Sequence, residues 1–295
     1  MEKTFEFLHE PTVQPMPVIG LMSGSGTNLR KILEHERKMK ELQGFSGYEM
    51  IAIFTDKPSD SNAAEIAGDY GIEFLYHEDI DVFARKHGLS AKNDQSKGID
   101  EMMRVRQLYD EKTAAIFENY RHPESGAEPV LALGGYMSKL TPAVINRFLT
   151  VNVHPADLTK KDEDGNPAYT GDHAVELAIL AGESYLNSTT HVARGRPDFG
   201  EILVVSAPLK VELRDEEGKE YEMNQLDFHR PDLLKVADYN QERLKKAGDW
   251  KIFPLTLDLI ASGTFAMDQD WRQTENGVIY IRQGDEFEEG PLVLE

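Results

Sequence analysis

Apolar runs alternate with amphipathic segments along most of the chain. The first three runs with the character of buried strands are VIGLMSG (18–24), YEMIAIFTD (48–56) and IEFLYH (72–77). Between them lie two segments with apolar residues at helical spacing, TNLRKILEHERKMKEL (27–42) and SNAAEIAGDYG (61–71). Strands that alternate with helices predict a mostly parallel sheet with helices on both faces.

The same alternation continues to about residue 210. A long helical segment (98–121) precedes PVLALGGY (129–136), which is typical of a buried strand. Two shorter helices are predicted at TPAVINRF (141–148), which opens with a Thr-Pro start, and at DHAVELAILAG (172–182). The other predicted strands are TVNVHPA (150–156), STTHVARG (188–195) and GEILVVSAPLKVEL (200–213), the last two joined by a glycine-bearing turn.

Two polar segments, 77–98 and 158–169, are predicted to be exposed connections. Beyond Pro208 the pattern changes to an acidic turn, one helix around 236–263 and a final strand at 276–282. The fold class predicted is therefore three-layer α/β/α, with a mostly parallel, Rossmann-like twisted sheet and a C-terminal appendage of helix and β-hairpin. Ligands of such sheets bind beyond the carboxyl ends of the strands.

Composition narrows the classes of function. The formal net charge of −20 argues against nucleic acid as a partner, because phosphate backbones are bound by clustered Lys and Arg. No apolar run approaches the roughly 20 residues of a membrane span, and the N-terminus lacks the basic start and apolar core of a signal peptide. Cysteine is absent, and the histidines show no HExxH or similar spacing. We expect a cytoplasmic protein that needs no metal. We expect its partners to be small molecules and its assembly to be a monomer or a homodimer.

The first strand runs into a glycine-rich turn, SGSGTN, that leads directly to a helix. Glycine lets the backbone turn with positive φ, and Thr27 or Asn28 is predicted to cap the helix. The first N–H groups of a helix and its dipole favour an anion, so Ser25, Gly26, Thr27 and Asn28 are candidate phosphate ligands. The turn has neither the P-loop ending nor the GxGxxG spacing. From this motif alone, an anion site and a plain tight turn without a ligand are equally good interpretations.

A second candidate site lies in TVNVHPA, where Asn152 and His154 stand two residues apart. In a strand such residues share one face, and Pro155 ends the strand at the predicted ligand edge. An amide and an imidazole can together stabilise negative charge on a carbonyl oxygen. Further on, Asp198 follows His191 in STTHVARGRPDFG; it is either a turn former or, if the turn folds back over Asn152 and His154, a proton carrier.

Taken in order, SGSGTNL, LALGGYMSKLTP, VNVHP, YTGDHAVELAILAG and STTHVARGRPDFGEILV resemble the folate-dependent formyltransferases. The resemblance covers roughly Pro17 to Gly263 and is greatest to the branch that formylates glycinamide ribonucleotide in purine synthesis. It implies the formyltransferase fold, with an N-terminal extension (1–16) before a single domain (17–295). That domain divides into a phosphate-binding half (17–125), a catalytic and folate-binding half (126–210) and the C-terminal appendage (211–295).

The resemblance also implies roles for residues. The catalytic set maps onto Asn152, His154 and Asp198. The positions that bind the ribonucleotide phosphate map onto Ser25, Gly26, Thr27 and Asn28. Met137, Ser138 and Leu140 correspond to the pocket of 10-formyltetrahydrofolate, the expected cosubstrate. His173 and Asp249 correspond to substrate-binding positions, although the family typically carries Glu where this chain has Asp249. An amine would attack the formyl carbon, protonated His154 and Asn152 would stabilise the tetrahedral intermediate, and Asp198 would assist proton transfer.

This chain departs from the family pattern at several positions. HPADL stands where HPSLLP is usual, DFGEI where DGGP is usual, and Ser138 where Arg is frequent. Three alternatives therefore stay open: a 10-formyltetrahydrofolate hydrolase, a formyltransferase for another amine such as an amino-sugar nucleotide, and a non-enzymatic folate- or phosphoribosyl-binding regulator. A formyltransferase for methionyl-tRNA is disfavoured by the charge of −20.

Overall fold

The computed structural model describes residues 5–122, 124–228, 230–268, 270, 272 and 277–295. Within them a central sheet has eight strands. With strands numbered in chain order, its spatial order is β14 (Leu292–Val293), β9 (Ile202–Val205), β8 (Thr189–Val192), β6 (Thr150–His154), β5 (Val130–Leu133), β2 (Met16–Met22), β3 (Tyr48–Thr55) and β4 (Glu73–Leu75).

Most neighbours in this sheet are parallel. β4, β3, β2, β5 and β6 run in one direction, and β14 is parallel to β9. β8 is the exception: it pairs antiparallel with both β6 and β9, as the predicted glycine-bearing hairpin requires. The mostly parallel sheet predicted from the apolar pattern is thus confirmed.

Helices cover both faces of the sheet. They are α1 (Thr27–Gln43), α2 (Ala63–Tyr70), α3 (Ile80–Lys86), α4 (Ile99–Phe117), α5 (Pro142–Ile145), α6 (Ala174–Leu180), α7 (Pro231–Leu244) and α8 (Trp250–Ala261). Along β2 the side chains alternate between two buried clusters: Val18 and Met22 pack with α1 and α8, whereas Ile19 and Leu21 pack with α3, α4 and α5. This alternation is the period of a strand buried on both faces, and it produces the three predicted layers.

The segment 77–98 is not the exposed connection that its polar composition predicted. It contains α3, whose Ile80, Phe83 and Ala84 are buried, and the nearby Leu89 is buried as well. Asp79 caps this helix by accepting from the N–H groups of Asp81 and Val82. The charged residues of the segment occupy the outer side of the helix, and this excess of polar residues concealed a short apolar face.

The C-terminal part forms two helices where one was predicted. A π-helical segment, Lys245–Asp249, separates α7 from α8 and contains the buried Gly248 and Asp249. Beyond α8 lies a smaller antiparallel sheet in the order β1 (Glu6–Phe7), β11 (Phe265–Met267), β12 (Ile279–Gln283) and β13 (Glu286–Glu289). The predicted extension therefore contributes β1 to this sheet. β7 (Tyr185–Leu186) and β10 (Leu209–Lys210) form a separate pair.

Among the described residues, no helix combines the length and the apolar character that crossing a membrane requires.

Candidate functional site

The glycine-rich turn leads into α1 without a side-chain cap. The N-cap residue is Gly26, with φ +67°, so the prediction that Thr27 or Asn28 caps the helix is wrong. A Cβ at Gly26 would lie 2.6 Å from the ends of both the Met22 and the Ile66 side chains, which would have to shift, and the positive φ itself favours glycine. Ser25 and Thr27 are exposed beside the buried glycine. The first turn of α1 thus remains available to an anion.

Asn152 and His154 lie at the carboxyl end of β6, as predicted. The Asn152 side-chain amide donates to Nε2 of His191 at 3.2 Å. The two residues lie directly opposite each other in the antiparallel pair of β6 and β8. His154 is buried, and its Nε2 donates to the carbonyl oxygen of Tyr169 at 2.9 Å. Tyr169 belongs to the connection between β6 and α6, so the loop that crosses this sheet edge fixes the orientation of the imidazole.

The loop after β8 returns Asp198 to this pair. Its Oδ1 lies 3.5 Å from Nδ1 of His154 and 3.6 Å from Nε2 of His191. Oδ2 accepts a hydrogen bond of 2.8 Å from the N–H of Gly171. The carboxylate is buried, and among the described residues other than glycine Asp198 alone has a positive φ, 62°. A left-handed backbone at such a residue marks a conformation that the surroundings impose, and such conformations concentrate at functional sites.

The return of the loop depends on Gly200. A Cβ at Gly200 would lie 1.6 Å from the carbonyl oxygen of Val192, the last residue of β8. The two strands resume pairing just beyond, where the N–H of Val192 donates to Glu201, and their register shifts between Thr190 and His191. Only a residue without a side chain allows this close approach of two backbones.

The electrostatics of the cluster favour an ionised Asp198 beside a neutral His154 in the unliganded protein. Burial alone would raise the pKa of Asp198, but the contacts with His191, His154 and the Gly171 N–H outweigh it and lower this pKa to about 2. Burial lowers the pKa of His154 below its ordinary value, and the charge of Asp198 offsets only part of that effect. The protonated His154 expected from the sequence is therefore not the resting form near neutral pH.

His191 is the residue to which sequence reasoning gave no role. Its ring is buried, its Nδ1–H donates to the carbonyl oxygen of Val192 at 3.0 Å, and its Nε2 faces both Asn152 and Asp198. It therefore lies between the amide and the carboxylate. The separation of seven residues between His191 and Asp198 was the available signal, but only the register of β6 with β8 shows that His191 lies opposite Asn152.

Asp249 lies between the glycine-rich turn and the cluster. Its buried carboxylate accepts from the hydroxyl of Ser188 and is also approached by the side chain of Asn28. Ser188 directly precedes Thr189, which pairs with His154. Burial raises the pKa of Asp249, and the hydrogen bonds from Ser188 and Asn28 offset part of that rise. The carbonyl oxygen of the Asn28 side chain is buried and has no hydrogen-bond partner among the described residues.

His173 lies two residues after Gly171 but is directed away from the cluster. Its Nδ1 contacts Oε1 of Glu176 at 2.7 Å, its side chain is 60% exposed, and its ring packs edge-on against Phe228. The hydrogen bond with Glu176 raises the pKa of His173. In this structure the backbone before His173, and not its imidazole, reaches Asp198.

The three predicted folate residues face different surroundings. Met137 is 62% exposed at the sheet edge, whereas Leu140 is buried in the core cluster against α4 and α5. Ser138 is also buried, and its hydroxyl donates to the carboxylate of Asp56. A Cβ built on Gly135, which has φ +85°, would meet no atom within 4 Å, so there is open space beside this loop.

Within the part of the chain that the structure describes, no group of three or more His, Asp or Glu residues is arranged to hold a metal ion.

Comparison with known proteins agrees with this fold. The family model described as formyl transferase matches residues 16–231. A curated relative, the trifunctional purine biosynthetic protein adenosine-3 of Bos taurus, is 24% identical over 266 residues, covering 88% of this chain and 20% of that protein. The chain thus spans about a fifth of the length of this relative.

Solved structures share the fold at low identity. Glycinamide ribonucleotide transformylase 1 from Symbiobacterium toebii has a TM-score of 0.59 at 20% identity, over 86% of this chain and 91% of that one. Phosphoribosylglycinamide formyltransferase from Coxiella burnetii, in complex with CHES, has a TM-score of 0.58 at 18% identity, over 91% and 94%. Since the family model covers more than half of its residues, this chain belongs to the formyl transferase family.

Proposed function

We propose that the protein transfers a formyl group from 10-formyltetrahydrofolate to the amine of glycinamide ribonucleotide. The observation that carries this proposal is the convergence of Asn152, His154 and Asp198 around His191 at the carboxyl end of β6. Family membership supports formyl transfer as the reaction, and the names of the similar solved structures support this acceptor.

Asn152 and His154 act on the charge that develops during attack by the amine. The Asn152 amide carries two N–H groups, and with one donated to His191 the second is left for the formyl oxygen. Negative charge on that oxygen favours protonation of His154, and the carboxylate of Asp198 stabilises the imidazolium that results. One donor of this kind contributes about 3 to 4 kcal/mol to the transition state.

Asp198 is the group suited to proton movement. Its pKa of about 2 keeps it ionised near neutral pH, so it accepts a proton from the attacking amine only transiently. It passes this proton to the folate nitrogen, which leaves as tetrahydrofolate when its bond to the formyl carbon breaks. The N–H of Gly171 holds the carboxylate at one position, within 3.5 Å of Nδ1 of His154, which keeps the distance of the transfer constant. No redox or metal-dependent step is needed for this chemistry.

The two substrates would reach this cluster from neighbouring loops. The uncapped first turn of α1, with Ser25, Gly26, Thr27 and Asn28, holds the phosphate of the ribonucleotide. 10-formyltetrahydrofolate supplies the formyl group and lies along the loop that contains Met137 and the open space beside Gly135. Asp249, between the turn and the cluster, orients the acceptor next to Asn28.

The experiment is to incubate the protein with 10-formyltetrahydrofolate, with and without glycinamide ribonucleotide, and to follow release of tetrahydrofolate. Release that requires the ribonucleotide supports the proposal. Release without it shows a hydrolase, and no release in either case overturns formyl transfer to this acceptor.

A matched pair of variants tests the role of the cluster in the same assay. Asn152→Ala removes the amide donor and should lower kcat by about 10²–10³-fold. Asn146→Ala removes an exposed asparagine at the end of α5 and should leave kcat unchanged.

A further inference from the structure

A buried carboxylate outside the catalytic cluster connects the two predicted substrate loops, the glycine-rich turn (23–28) and the Met137–Leu140 loop. Asp56 directly follows β3 and is completely buried. Its Oδ1 accepts a hydrogen bond of 2.6 Å from the hydroxyl of Ser23, and its Oδ2 accepts one from the hydroxyl of Ser138. Buried carboxylates require such partners because water is excluded from them.

The bond to Ser23 joins Asp56 to the glycine-rich turn. Ser23 is the first residue of SGSGTN and directly follows Met22, the last residue of β2. Its hydroxyl oxygen also accepts from the N–H of Met137 at 3.0 Å, and its own N–H donates to Gly135 at 3.0 Å. Ser23 thus contacts Asp56 and the loop of Met137 at the same time.

The bond to Ser138 joins Asp56 to the second loop. Lys92 approaches from the segment after α3 and donates to Oγ of Ser138 at 3.0 Å, with its Nζ 3.7 Å from Oδ2 of Asp56. Its side chain is only 15% exposed. The carboxylate, the two hydroxyls and the ammonium group therefore form one buried network that spans three connections at the carboxyl edge of the sheet.

This arrangement makes independent movement of the two loops unfavourable. If either the turn or the Met137–Leu140 loop moved away, Asp56 would lose one of its two hydroxyl donors. A buried charged group that loses a partner carries a larger penalty than a neutral one. A ligand that holds one loop in this arrangement therefore also favours this arrangement of the other.

We propose that Asp56 is a positioning residue that couples the two substrate-binding loops, so that binding of the ribonucleotide and binding of the folate strengthen each other. This inference rests on the proposed function, because that function assigns a ligand to each loop. Asp56 is completely buried, so its action on the two loops passes through Ser23 and Ser138.

The test is a calorimetric measurement of the Kd of glycinamide ribonucleotide, alone and with saturating tetrahydrofolate, which gives no turnover. In the unchanged protein we expect the folate to tighten ribonucleotide binding by about fivefold or more. The variant Ser23→Ala/Ser138→Ala keeps Asp56 but removes both hydroxyls, and should reduce this ratio to below about twofold. Ser46→Ala is the matched control, since Ser46 is buried and its hydroxyl has no partner in the part of the chain that the structure describes.

Each outcome decides between distinct conclusions. If both ligands bind the unchanged protein with independent Kd values, or if the double variant retains the full ratio, the coupling role of Asp56 is wrong and the proposed function stands. If neither ligand binds the unchanged protein, the proposed function and the inference both fail. Asp56→Asn, which keeps one acceptor oxygen, should retain more of the folate-induced change in ribonucleotide Kd than Asp56→Ala does.

Discussion

The carboxylate of Asp198 lies 3.5 Å from the imidazole of His154, although the two residues belong to different strands and loops of the chain. The contact is made possible by a left-handed backbone at Asp198 and is held from the other side by Gly171. It places an ionised acid beside a neutral imidazole, a pair that can accept and stabilise a proton as charge develops nearby.

Replacement of Asp198 by Asn should abolish most of the turnover while preserving the fold. Asn tolerates the left-handed conformation and can still accept from Gly171, but it cannot take up a proton. We expect kcat to fall by about 10²-fold or more. The measurement is tetrahydrofolate release at saturating substrates, with circular dichroism to monitor the fold. Asp172→Asn, an exposed neighbour, is the control, and normal turnover by Asp198→Asn would falsify the assigned role.

The pH dependence of stability should report the depressed pKa of Asp198. Its folded-state pKa of about 2 lies below the ordinary 3.8, so the ionised form stabilises the fold above pH 3.8, and this contribution disappears as the pH falls towards 2. The contribution is about 2 kcal/mol at neutral pH. Urea unfolding of the unchanged protein and of Asp198→Asn should differ by this amount near neutral pH and converge in acid. A difference that is constant with pH would contradict the shift.

Two glycines of the turn should respond differently to alanine. Gly26 has φ +67° and a crowded Cβ position, whereas a Cβ at Gly24 would meet nothing within 4 Å. Gly26→Ala should therefore raise the KM for the ribonucleotide and lower the free energy of unfolding by about 1 kcal/mol or more. Gly24→Ala should change stability little. Equal effects of the two variants on KM and stability would show that the turn is not held as described.

Gly200 should be among the positions least tolerant of a side chain. A Cβ there would lie 1.6 Å from the backbone oxygen of Val192, and backbone cannot move aside as a flexible side chain can. Gly200→Ala should lower the free energy of unfolding by more than about 2 kcal/mol and reduce kcat, because the loop that carries Asp198 must shift.

Gly68→Ala is the control for Gly200→Ala, since Gly68 lies within α2 with open space around its Cβ position. That substitution should raise the midpoint of thermal unfolding slightly, because alanine favours a helix over glycine by about 0.5–1 kcal/mol. Comparable midpoints for the two variants would rule out the close approach at Gly200.

The sequence by itself determined the sheet, most of its strands and the placement of Asn152 and His154. These features follow from local patterns: the two-residue period of a strand, the spacing of a helix and the proline that ends β6. Local patterns failed where polar residues outnumber apolar ones, as in the segment 77–98 that contains α3. They also failed where one long helical pattern is interrupted by the π-helical Lys245–Asp249. A break of that kind shifts the phase of the helix without changing its composition.

Only the tertiary structure decided which side chains meet. The contacts of Asp198 with His154, of Asn28 with Asp249 and of Ser138 with Asp56 all join distant parts of the chain. Their geometry depends on strand register and on backbone approaches such as that of Gly200 to Val192, which no local pattern encodes. Local patterns in the sequence thus indicate which residues are candidates for the site. The distances between their side chains arise from packing between elements that are far apart in the sequence.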